Sequence, residues 1–134
     1  DSIGQTSSDS VNVSVDNIAD PTMHIGDLDG SSAPGGQGGK WNATVMITVH
    51  DSSAATVADA TVNGSWSAGA NGSGSCVTDG SGQCSISKNN IKRNSTSITF
   101  KVNNVTHTSL LYHADDNHDP DGDSDGTEVI VGQP

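Results

Sequence analysis

The stretch Lys40 to His50, KWNATVMITVH, decides the fold: Trp41, Ala43, Val45, Ile47 and Val49 occupy every second position. Period two is the signature of a strand with one face in a core, because successive side chains of an extended chain point to opposite sides. The same alternation recurs in SVNVSVDN, through Val11, Val13 and Val15. Further strands are expected at Ala60 to Ser67, Gly74 to Thr78, Gln83 to Lys88, Ser95 to Asn103, Ser109 to His113 and Thr127 to Val131. In Ser95 to Asn103, Ile98, Phe100 and Val102 share one side. Turn-forming residues separate these segments at sandwich spacing, and no segment carries a helical period. The predicted class is therefore all-β, an antiparallel sandwich over residues 21–134, preceded by a separate strand or linker over residues 1–20. The segment SSAPGGQGGK, 31–40, reads as a loop; Lys40 precedes Trp41 where a phosphate cradle needs Ser or Thr.

Composition makes such a core thin. Leu, Ile, Val and Phe supply 24 of 134 residues, and the net charge is −11. That pairing borders on the disordered class, so the fold is expected to lean on cross-links. Cys76 and Cys84 flank VTDGSGQ, whose Asp79, Gly80, Ser81 and Gly82 form a turn. A disulfide-stapled hairpin is the expected result. Soft metal ligands at zinc spacing are missing, and a disulfide implies an oxidising compartment. Six Asn-x-Ser/Thr sequons, at Asn12, Asn42, Asn63, Asn71, Asn94 and Asn104, point the same way, to an extracellular or cell-surface glycoprotein. The start at Asp1 reads as a processed or excised piece, and no apolar run is long enough to span a membrane.

The densest chemistry lies in HADDNHDPDGDSDGTE, His113 to Glu128, where seven carboxylates fall within fourteen residues and no Lys or Arg follows Lys101. Asp121, Asp123, Asp125 and Gly126 reproduce the D-x-D-x-D-G opening of a calcium loop. The twelfth position is Gly132 instead of Glu, so another segment must complete the shell. Asp119 precedes the loop, Asp27-Leu28-Asp29-Gly30 is a half-motif of the same kind, and Asp115, Asp116 and Asn117 lie nearer. Calcium held by Asp119, Asp121, Asp123, Asp125, Asp27 and Asp29 is the expectation; the competing reading is a solvated acidic loop.

The stretch VADATVNGSWSAG, 57–69, followed by GSCVTDGSGQCSIS with its T-D-x-x-G-x turn, resembles bacterial and archaeal immunoglobulin-like repeats. The continuation from Ser97 to Val131 is similar to the closing strands of such modules in large secreted proteins, including tails of extracellular subtilisin-like peptidases. The likeness spans residues 22 to 131. It implies an immunoglobulin-like sandwich serving as a spacer, an adhesive unit or a polysaccharide-binding tail, among which fold alone does not choose.

Residues 1 to 18 resemble the last strand of a preceding repeat. Such a strand, with Val11, Val13 and Val15 filling pockets, is suited to donation into a neighbouring subunit, and head-to-tail donation builds filaments. A plain linker is the competing reading. The leading expectation is a non-catalytic, calcium-stabilised structural module whose partners are copies of itself or neighbouring repeats. The alternative is a polysaccharide-binding module, which needs an exposed aromatic platform from Trp41, Trp66 or Tyr112. Catalysis is not expected: His24, His50, His107, His113 and His118 coexist with so many Ser and Asp residues that triad-like sets arise from composition alone. His118, beside Asp119, is the exception to watch, since a His ligand argues for a transition metal. Nucleic acid is disfavoured by the charge, the basic residues making at most a small cluster at Lys88, Lys92 and Arg93.

Overall fold

The alternation of KWNATVMITVH becomes the second of eight strands among the described residues. These are β1 Thr22–Pro34, β2 Trp41–Asp51, β3 Thr61–Ser67, β4 Gly72–Val77, β5 Gln83–Ile91, β6 Ser97–Thr106, β7 Leu111–Tyr112 and β8 Glu128–Gly132. A single turn of 3₁₀ helix, Ala114–Asp116, follows β7. The computed structural model describes residues 21–36, 38–120, 122 and 124–134. The candidate donated strand with Val11, Val13 and Val15, the sequon at Asn12, and Asp121 and Asp123 lie outside the described residues.

The strands form two four-stranded sheets, in the orders β5-β2-β1-β7 and β4-β3-β6-β8. All pairings are antiparallel except that of β7 with β1. The inward residues of β2, Trp41 through Val49, are at most 1% exposed, while Met46 on its other face is 41% exposed. Ile98, Phe100 and Val102 of β6 are buried opposite them. Trp66 and Phe100 pack with ring centroids 4.9 Å apart. Each large apolar side chain so buried contributes about 1.5–3 kcal/mol.

Two expectations are corrected. Residues 31–34 are not loop but the end of β1, in register with Thr44, Ala43, Asn42 and Trp41 of β2. The ladder to β2 holds this polar end, and proline is tolerated where a strand stops. The second correction concerns the disulfide, which is formed between Cys76 and Cys84 with Cα atoms 5.8 Å apart. Its strands do not make a hairpin: β4 pairs with β3, β5 pairs with β2, and each is an edge of a different sheet. The bond therefore ties the two layers together.

Local polar chemistry explains why the turn crosses between sheets. Asp79 Oδ1 accepts from the Ser81 and Gln83 amides at 2.8 and 3.2 Å, closing the turn. Gly82, at φ +74°, lies so close to Thr56 and Val57 that a Cβ would come within 2.8 Å of Thr56 Cβ. Thr78 is buried; its hydroxyl donates to the Val57 carbonyl at 2.6 Å and accepts from the Ala60 amide at 2.9 Å. Thr78→Val keeps the shape and leaves both backbone groups unsatisfied, so it is expected to cost about 1–3 kcal/mol. Urea unfolding checks this; a loss below the error of the measurement would mean that the backbone bonds alone hold the crossing.

Candidate metal centre on the first strand

A β-bulge in β1 sets up the site. Ile25 is in register with Val49 and Asp27 with Thr48, which leaves Gly26 as the extra residue. The bulge moves the alternation by one place. Met23 and Ile25 face the core before it and Leu28 after it, so His24 lies on the outer face ahead of the bulge and Asp27 and Asp29 lie there beyond it.

From β7 onward the chain runs along the edge of β1 opposite β2. The Leu111, His113 and His118 amides donate to the carbonyls of Pro21, Met23 and Ile25 at 3.0, 2.8 and 3.0 Å. Asn117 fastens this path: its Oδ1 accepts from the Ile25 amide, and its Nδ2 donates to the Tyr112 hydroxyl and to Thr127 Oγ1. The next residue pair, His118 and Asp119, is thereby laid against the outer face of β1.

One carboxylate oxygen from each of Asp27, Asp29 and Asp119 lies within 4.8 Å of the others. Two oxygens on one calcium ion, each about 2.3–2.6 Å from it, are at most about 5 Å apart, so the spacing fits one ion. The all-oxygen donor set suits calcium rather than a softer metal. Asp29 Oδ1 is buried and takes no hydrogen bond among the described residues. Asp119 Oδ2 accepts from the Ser124 amide and hydroxyl at 2.7 and 2.9 Å, which curls the acidic loop back on itself. Gly126, at φ +85°, packs where a Cβ would lie 2.5 Å from the His118 nitrogen; the motif glycine is required by this contact.

Sequence placed Asp125 among the ligands, yet it is not part of this group. Its Oδ1 accepts from the Thr127 and Glu128 amides at 2.8 and 2.7 Å, forming the turn into β8. Those backbone hydrogen bonds hold its carboxyl below the usual range. Asp115 and Asp116 are exposed on the 3₁₀ turn, where Asp116 Oδ2 meets His113 Nδ1 at 2.9 Å. Sequence reading missed the convergence of His24 and His50 with His118. The signal that finds it is the register of β1 on β2, which sets His24 opposite His50.

The remaining candidates are dispersed. Asn71, Asn94 and Asn104 are exposed; Asn42 and Asn63 are half-buried, and Asn42 Oδ1 accepts from the Asn90 amide. Trp41 and Trp66, at 1% and 4% exposure, present no stacking surface, and Tyr112 is half-buried with its hydroxyl engaged. No described helix is long and apolar enough to cross a membrane. Set against known protein families, curated proteins and solved structures, the chain matches none.

Proposed function

We propose that this chain is a non-catalytic, calcium-stabilised structural module of an extracellular assembly, built as an immunoglobulin-like sandwich. The observation that carries the reading is the convergence of Asp27, Asp29 and Asp119 from two distant segments onto one point. A calcium ion there joins the acidic loop to β1 where that strand runs on beyond β7, and relieves the repulsion of grouped carboxylates in a chain of net charge −11. The strand order supports the immunoglobulin-like reading: the first strand lies beside the second and the second beside the fifth, while the third, sixth and last lie side by side in the facing sheet.

Assembly by donation of the strand around Val11, Val13 and Val15 rests on sequence. It needs an accepting edge, and β8 is an edge strand with Ile130 70% exposed. The sugar-binding alternative is weakened by the burial of both tryptophans. Size-exclusion chromatography with light scattering in calcium tests the choice. Polydisperse polymers that vanish when residues 1–18 are deleted, with the sandwich still folded, support the filament reading. A monomer of 13.5 kDa from the full chain removes self-assembly, and polymers that survive the deletion remove strand donation.

A further inference from the structure

His24 on β1, His50 on β2 and His118 after β7 bring one ring nitrogen each to within 4.8 Å of the others. Their ring centroids are 6.2 Å apart for His24 and His50, and 5.3 Å apart for His24 and His118. Two of the rings are held by the sheet itself. His24 is only 8% exposed, and Nδ1 of both His24 and His50 is buried with no hydrogen bond among the described residues. A buried ring nitrogen without a partner is costly, and here two occur on residues in register on neighbouring strands. A metal ion is a partner that satisfies both at once.

The surroundings are shaped for the rings. Gly26 lies beneath His50, where a Cβ would be 2.1 Å from His50 Nδ1, so the bulge glycine makes the room the imidazole occupies. His118 Nδ1 donates to the Asp116 carbonyl at 3.2 Å, which leaves Nε2 as the nitrogen with a lone pair. A ring N–H on a carbonyl with the other nitrogen turned to the ion is the usual outer support of a metal-bound histidine.

We propose that His24, His50 and His118 form a second metal site, separate from the aspartate cluster, that takes a borderline divalent transition ion of the zinc class. Three imidazoles exclude calcium, which prefers oxygen, and suit zinc, copper or nickel. Nitrogens on a tetrahedral zinc ion are about 3.4 Å apart, so binding draws the three together from a spacing of at most 4.8 Å. His118, exposed and on a loop, supplies that movement. Three protein ligands leave a fourth position for water, on the side where His118 meets solvent.

The test is a calorimetric titration of zinc into the full chain already saturated with calcium, with cobalt(II) as an optical probe. One equivalent of zinc and the visible absorption of four-coordinate cobalt are expected. His118→Ala removes an exposed ligand but keeps the main-chain bond to Ile25, and should weaken zinc binding by about a hundredfold or more. His107→Ala, whose ring contacts Ala58 instead, should bind zinc as the unaltered chain does. No zinc binding above calcium, or His118→Ala binding unchanged, overturns the proposal. So does loss of zinc in Asp29→Asn with retention in His118→Ala, which would put the ion among the aspartates.

Discussion

Chelation of calcium is expected to lower the unfolding midpoint by more than about ten degrees. A ligand that binds only the folded state stabilises it by about 2.7 kcal/mol at a hundredfold excess over its dissociation constant, and about 4.1 kcal/mol at a thousandfold. For a domain of this size about 1 kcal/mol moves the midpoint by about 4 °C. Relief of the repulsion among Asp27, Asp29 and Asp119 is part of the binding energy that sets this term, so the term is lost whole when calcium is removed. Asp29→Asn keeps the shape while removing one charge and one strong ligand. It should cut the calcium-dependent part of the shift by more than half. Scanning calorimetry with calcium and with chelator measures both; a melt indifferent to chelator would reduce the acidic run to a solvated loop.

Replacing Cys76 and Cys84 together by Ala is the second large effect. The bond closes a ring of eight steps along the chain, for which loop-closure entropy gives about 2–3 kcal/mol. That corresponds to about ten degrees. The loss falls on the contact between the sheets, since Cys76 is in register with Val62 and Cys84 with Ile47 of two different layers. Urea unfolding of the double variant should therefore show a lower midpoint with little change in slope. A loss below about 1 kcal/mol would assign the ordering of the crossing to Thr78 and Asp79 instead.

Period-two strands were the legible part of this sequence. β2, β3 and β6 are legible in their alternation because one face meets the core and the other meets water. β1 is not, for two physical reasons: the bulge at Gly26 breaks its period, and its far end is held by ladder bonds that leave no mark on side-chain pattern. The hairpin expectation failed because a short turn between two strands looks the same whether they pair or cross to opposite layers; burial of Thr78 makes the difference. Of the site, carboxylate identity was readable, and so was the need for a second segment. That Asp125 serves a turn, and that His24 faces His50, depend on hydrogen bonds and register that no spacing rule contains.

The disulfide and the candidate metal centre grip opposite margins of the sandwich. Cys76 and Cys84 join β4 and β5 at one margin, while the acidic loop lies along β1 beyond β7 at the other. The molecule should thus open in sequence rather than at once. In amide hydrogen exchange, chelation should release the amides of His113 and His118, and next those of β8, while β4 and β5 exchange only with global unfolding. A fold with so small a core would then carry a built-in order of fraying, in which the ion-held margin is the hinge and the covalent margin the spine.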